Sequence, residues 1–211
     1  AVVLAAGQGS RLGHRPKSLI ELAGIPLIRR QLIALSGAGV DQLVVVLGHY
    51  ATQIRPFIED FPITVVDLSD HPEASQKLSV QQGVSALQGK FDAVMVVPSD
   101  MPLLGTADYT DLIGAYKKRP EGARMVRPIV SESPGNPVIF DYAINEESES
   151  SVEPLCRHWW QKHPEHCHGW QTMNDRFMID IDTFEDVTAV EARLGRHLVV
   201  PESIEVVSGN A

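Results

Sequence analysis

At 211 residues, with 44% hydrophobic and 21% charged side chains, the chain is long enough for one sizeable α/β core and has no disordered or collagen-like bias. Its net charge of −9 excludes general nucleic-acid binding, which depends on clustered Lys and Arg neutralising phosphates, so any nucleotide has to be held locally. Two cysteines, Cys156 and Cys167, are too few for a disulfide framework, and no apolar run is long enough to cross a bilayer, so a cytoplasmic setting without membrane partners is expected.

Val2, Val3 and Leu4 form an apolar run without alternation, which predicts a strand buried on both faces of a parallel sheet. They lack a basic leader, so they do not read as a signal peptide; the missing initiator Met predicts that Ala1 lies just inside the natural start. A glycine-rich loop follows, AAGQGS, and then two cations, Arg11 and Lys17. Small residues let backbone N–H groups approach a polyanion, and the cations supply fixed positive charge. The loop is not a P-loop, since no Gly-Lys-Ser/Thr closes it, and it lacks the third glycine of a dinucleotide fingerprint.

Pro26 opens a predicted helix through Ile28, Leu32, Ile33 and Leu35, ended by Gly37 and Gly39. Strands are predicted at Asp41–Leu47 and Ile63–Val66, with a helix from Ala51 to Glu59 between them and a long polar loop from Asp67 to Gln76. A helix over Lys77–Leu87 leads to a strand over Asp92–Val97, which breaks at PSDMP. A helix over Asp108–Lys118 and a strand over Arg124–Ile129 follow. Ser131–Gly135 reads as a turn-rich hinge, Pro137–Phe140 as a short strand, Glu146–Ser151 as a polar run and Val152–Trp160 as the start of a helix. Phe177–Ile181 is expected to be a last core strand, Thr183 an N-cap, Glu185–Leu194 a closing helix and Val199–Ala211 a tail of little periodicity. Alternating strands and helices predict a Rossmann-like, doubly wound and mostly parallel sheet with helices on both faces. One domain is expected over 1–198, with a nucleotide half to about 105, an acceptor half over 106–198 and a tail from 199.

Asp100 follows a buried strand and lies between two prolines, which aims a carboxylate at the carboxyl edge of the sheet. Asp182, after FMIDI, occupies a similar place, with Asp180 as the competing choice of the same side-chain parity. Two carboxylates from separate strand ends suit a hard divalent cation such as Mg²⁺ when phosphate oxygens complete its shell. The Cys156, His158, His163, His166, Cys167 and His168 group does not match zinc-site spacing, and Trp159, Trp160 and Trp170 read as core or interface aromatics.

LAAGQGSRLG followed by PKSL, with GIPLI a few residues on, resembles the signature of MobA/MocA-like, molybdopterin-type nucleotidyltransferases, most closely the cytidylyltransferases that act on molybdopterin. The resemblance implies a fold of the nucleotide-diphospho-sugar transferase type and a Mg²⁺-dependent transfer of CMP from CTP to a phosphorylated acceptor, with loss of pyrophosphate. It implies nucleotide contacts from Leu4, Ala5, Ala6, Gly7, Gly9, Ser10, Arg11, Lys17 and Ser79, catalytic roles for Arg11, Lys17 and Asp100, and metal ligation by Asp100 and Asp182. Ala6, where guanine-using relatives carry Gly, points to a pyrimidine. Gly135-Asn136-Pro137-Val138 resembles the segment lining the acceptor side, and Gly48-His49 matches a further family element, with His49 left outside the catalytic set. The chain departs from the family pattern at Glu73–Val80 and at Ser150–Leu155, both where acceptor contacts are expected. The acceptor therefore stays open between molybdopterin or its molybdenum-bearing form and a sugar or polyol phosphate. A non-catalytic nucleotide-binding accessory to a molybdenum enzyme is the reading from another class.

Overall fold

A computed structural model of the chain describes residues 1–71, 75–148 and 156–203. Eleven strands occur among them: β1 (Val2–Ala5), β2 (Glu21–Leu22), β3 (Ile25–Pro26), β4 (Val44–Leu47), β5 (Thr64–Asp67), β6 (Ala93–Pro98), β7 (Met125–Val130), β8 (Ser133–Pro134), β9 (Val138–Asp141), β10 (Cys167–Gln171) and β11 (Leu198–Val199). The helices are α1 (Leu27–Gly37), α2 (Ala51–Ile54), α3 (Gln76–Ser85), α4 (Thr106–Lys117), α5 (Ala143–Ser148), α6 (Arg157–Lys162) and α7 (Phe184–Leu194).

The main sheet has the order β10-β7-β9-β6-β1-β4-β5, with β8 paired to β7. Strands β5, β4, β1 and β6 run parallel; β9 is antiparallel to both neighbours, and β10 is parallel to β7. Successive strand residues point to opposite faces, so each valine-rich strand feeds two cores. Val3, Val45, Leu47, Val97 and Ile139 join α1, α2 and α4 on one face. Val2, Val44, Val46, Val96 and Phe140 pack with α3, α5 and α6 on the other. Helices thus cover both faces, as the alternating pattern predicts. A third cluster packs Leu12, Ile20, Leu22, Val187, Val190 and Leu198, joining α7 to a small sheet in the order β11-β2-β3.

Four local expectations change. The helix after His49 is α-helical only through Ile54 and tightens to a 3₁₀ turn at Arg55–Phe57, because Pro56 has no N–H to continue the ladder. The polar run at Glu146 is already inside α5. Phe177–Ile181 is not a strand: Asp175–Met178 forms a 3₁₀ turn, and the place beside β7 is taken by β10, whose CHGWQ sequence carries no apolar alternation. Gly169 permits that pairing, since a Cβ there would lie 2.8 Å from the Ile129 side chain. Val199 pairs with Glu21, so the chain beyond residue 198 begins as a strand rather than a tail. The expected helix start at Val152, the departure at Ser150–Leu155 and part of that at Glu73–Val80 lie outside the described residues.

Candidate active site

Strand β1 delivers its chain into the loop Ala6–Gly9 at the carboxyl edge of the sheet. Gly9 has φ +58, and a Cβ there would lie 2.1 Å from the Arg15 carbonyl oxygen, so only glycine fits. Its own carbonyl accepts from Leu12 N at 2.9 Å and His14 N at 3.0 Å, which closes the turn that carries Arg11. Gly7 has no atom within 4 Å of where a Cβ would stand, leaving room above the loop. On the far side the Tyr50 hydroxyl donates to the Gln8 carbonyl at 2.9 Å and ties the loop to the start of α2. His49 stacks edge-on against Tyr50 and is exposed.

A cleft of about 320 Å³ opens over this loop. Leu4, Ala5, Ala6, Gly7, Gly9, Ser10, Arg11, Lys17 and Ser79 all line it, together with Asp100. Sequence reasoning missed Gln8, Ser18, Gln76 and Ser99, which line it too. Ser99 is brought in by the strand pairing, its N–H donating to the Leu4 carbonyl at 3.1 Å. Gln76 stands at the first turn of α3, after a Ser75 N-cap that no apolar pattern marks. Ala6 faces two ways: it lines the cleft, and its methyl fills the space a Cβ on Gly48 would take, at 2.8 Å.

Asp100, which lines this cleft, belongs to a trio: oxygens of Asp100, Asp180 and Asp182 lie within 4.8 Å of one another. The Ile181 N–H donates to the Asp100 carbonyl at 3.0 Å, which docks the two segments. Ile181 is fully buried in the third cluster, and its two aspartate neighbours turn the other way. Asp182 is steadied by the α7 cap: Asp186 Oδ2 accepts from Asp182 N at 3.0 Å and Thr183 N at 2.8 Å. The rival choices Asp180 and Asp182 therefore both meet Asp100. Such a carboxylate trio can hold a divalent cation.

Two cations balance the trio. Lys17 donates to Asp182 and lies 3.4 Å from Asp100 Oδ2, and Arg11 Nη2 lies 2.5 Å from Asp182 Oδ2. Asp100 Oδ1 is buried with no hydrogen-bond partner among the described residues. Burial pushes the Asp100 pKa up; Lys17 opposes this and Asp180 adds to it. Asp180 is raised as well, by burial and then by Asp182. A carboxylate cluster of this kind favours any cation that can enter it.

The segment after Asp100 is held from below. Gln31, 1% exposed in α1, donates to the Met101 carbonyl and accepts from the hydroxyl of fully buried Tyr109. Among the described residues the histidines and cysteines form no metal-holding group: His163 and His166 lie beside the Trp159 ring at 4.9 and 6.4 Å, and the Cys167 thiol donates to the His163 carbonyl at 3.2 Å. Trp170 meets Phe177 edge-on at 5.6 Å.

Residues 1–164 match the family model described as the MobA-like NTP transferase domain. The curated relatives include the bifunctional protein GlmU of Kineococcus radiotolerans, 34% identical over 137 residues, which covers 64% of this chain and 28% of that protein. The chain therefore spans less than a third of that relative's length. Among solved structures, a nucleotidyl transferase from Methanothermobacter thermautotroptrophicus (Mth528) superposes with a TM-score of 0.73 at 21% identity, over 91% of this chain and 95% of that one. Rv0371C of Mycobacterium tuberculosis H37Rv, solved in complex with manganese, has a TM-score of 0.65 at 18% identity, over 90% and 95% of the two chains. This chain belongs to the MobA-like NTP transferase family and has the nucleotide-diphospho-sugar transferase-like α/β fold.

Proposed function

We propose that the chain is a nucleotidyltransferase that moves CMP from CTP to a phosphorylated acceptor and releases pyrophosphate, with molybdopterin or its molybdenum-bearing form as the acceptor. The observation that carries this reading is the convergence of the glycine loop, Arg11, Lys17 and Asp100 on one cleft, with Asp180 and Asp182 beside it. The nucleotide half is then about 1–105, and 106–198 supplies the acceptor side.

An oxygen of the acceptor phosphate attacks the α-phosphorus, a new P–O bond forms, and the bond to the bridging oxygen breaks, pyrophosphate leaving with the electron pair. No covalent nucleophile on the protein is needed; positioning and electrostatics suffice. Gly7 to Gly9 line the cleft and would offer backbone N–H groups to the phosphates, while Arg11 and Lys17 would offset the charge that builds on the leaving group. Asp100, Asp180 and Asp182 would hold Mg²⁺ or Mn²⁺, which supplies Lewis-acid polarisation of the phosphate oxygens. CTP is preferred over GTP on the resemblance that guanine-using relatives carry Gly where this chain has Ala6, a residue that lines the cleft.

Pyrophosphate release from each of the four nucleoside triphosphates, with molybdopterin and with sugar or polyol phosphates, tests the proposal. Release from CTP that requires molybdopterin is the expected result. Release only with a sugar or polyol phosphate replaces the acceptor, and CTP binding without release on any acceptor favours the accessory-protein reading.

A further inference from the structure

A second cavity, of about 270 Å³, adjoins the nucleotide cleft and shares Leu4, Gln76 and Pro98 with it. Three cationic side chains line it: Lys77 from the first turn of α3, Arg127 from β7 and Arg157 from the start of α6. Among the described residues no carboxylate lines it, in a chain whose net charge is −9.

Arg127 gives two donors to one acceptor, the Gly135 carbonyl, from Nε at 3.2 Å and Nη2 at 2.8 Å. Its guanidinium lies 5.8 Å from the centre of the Trp160 ring. Burial pushes its pKa down and Arg157 adds to that effect, while Cys156 opposes it. Three like charges around one cavity repel one another, and an anion placed between them removes that penalty.

Strand register sets where this charge lies. Val96 pairs with Val138, and Val126 with Ile139, so Arg127 stands level with Val138 and two strands away from β6. At ordinary strand spacing that is about 10 Å from the strand whose end delivers Asp100. Arg11, Lys17 and Asp100 line the first cleft and not this one.

We propose that this basin, on the nucleotidyl-transfer reading above, binds a tetrahedral oxyanion of the acceptor separate from the attacking phosphate, so that the acceptor is anionic at both ends. The attacking oxygen has to lie beside the α-phosphorus at the Asp100 end, whereas the basin's cations stand toward β7 and α6. With its Nε–Nη2 edge on the Gly135 carbonyl, Arg127 keeps its remaining Nη hydrogens for a ligand, and these, flanked by two further cations, match a dianion better than a single carboxylate. A second phosphate ester and a molybdenum oxyanion share this chemistry.

Inorganic phosphate, and molybdate in a second arm, titrated into the full chain by calorimetry and tryptophan fluorescence, tests the basin. Saturable binding is expected that survives Lys17→Gln, weakens about tenfold or more in Arg127→Gln and weakens several-fold in the surface variant Arg157→Gln, whose melting temperature stays at the wild-type value. Tighter phosphate supports a bisphosphorylated acceptor, and tighter molybdate a molybdenum-bearing one. Equal affinity in wild type, Arg127→Gln and Arg157→Gln overturns the proposal, as does binding that disappears in Lys17→Gln. Pyrophosphate release measured in parallel keeps the two readings apart. Release with an unchanged acceptor KM in Arg127→Gln sinks the basin alone, and no release from any nucleotide, with phosphate still bound at Arg127, sinks the transferase.

Discussion

Lys17 Nζ donates to Asp182 and stands 3.4 Å from Asp100 Oδ2, so one ammonium joins carboxylates that are 82 positions apart in the chain. Lys17 therefore supplies the counter-charge of the cluster, and on the proposed metal reading a divalent cation would compete with it. The first prediction follows from that exchange. Lys17→Ala should lower turnover by about a hundredfold or more, the usual cost of a lost charged transition-state contact. It should also lower the metal-free melting temperature and enlarge the rise produced by Mn²⁺ or Mg²⁺, because the carboxylates lose their resident counter-charge. Thermal melts with and without the ions measure both; an ion response no larger than wild type would contradict the exchange.

Asp100 carries the pH dependence. Its folded pKa is raised, so the native state holds that proton more tightly than the unfolded chain does. The metal-free protein should be most favoured by this group below the unfolded value of about 3.9, and should lose that contribution as pH rises through the raised folded value. Asp180 adds in the same direction. Asp100→Asn should flatten the slope and raise the neutral-pH melting temperature by a few degrees, about what 1 kcal/mol does in a chain of this size. Activity should fall about a hundredfold or more. Urea unfolding in EDTA across pH 4 to about 8 reads the slope, and an unchanged slope in Asp100→Asn would refute the argument.

Gln31 positions the turn that carries Asp100 without lining the cleft. Gln31→Leu removes its bonds to the Met101 carbonyl and the Tyr109 hydroxyl and leaves two buried polar groups unpaired. A loss of about 1–3 kcal/mol is expected. kcat should fall while the Kd for nucleotide holds, because the glycine loop is carried by another strand. Equal losses in binding and turnover would mean the effect is general.

Ala6 is the test of base choice. Ala6→Gly removes a methyl from a residue that lines the cleft and should shift the GTP-to-CTP affinity ratio toward GTP by about tenfold, the usual scale for one small apolar group in a pocket. Competition titrations of the two nucleotides measure it. An unchanged ratio would place base selection elsewhere.

The site was legible where its signal is local. The glycine loop, Arg11, Lys17 and Asp100 are each marked by what stands next to them: an apolar strand before a turn, a small residue where backbone must approach a ligand, prolines around an acid. Ser99 and Gln76 carried no such mark. They enter the cleft through the Ser99 N–H bond to the Leu4 carbonyl and through the start of α3. The choice between Asp180 and Asp182 could not be made from parity, because both share it. The Ile181-to-Asp100 bond brings the pair in together.

The order of apolar runs, turns and caps by itself determined a doubly wound α/β core, the glycine-rich loop at its edge and the cap at Thr183, since each depends on neighbours a few residues apart. The tertiary structure decided the rest: the strand at Cys167–Gln171, the two-residue strands that tie Val199 to Glu21, the carboxylate trio, and the gathering of Lys77, Arg127 and Arg157 around one cavity. These depend on register between segments far apart in the chain, and the energy that selects them comes from pairing and burial that no local period records.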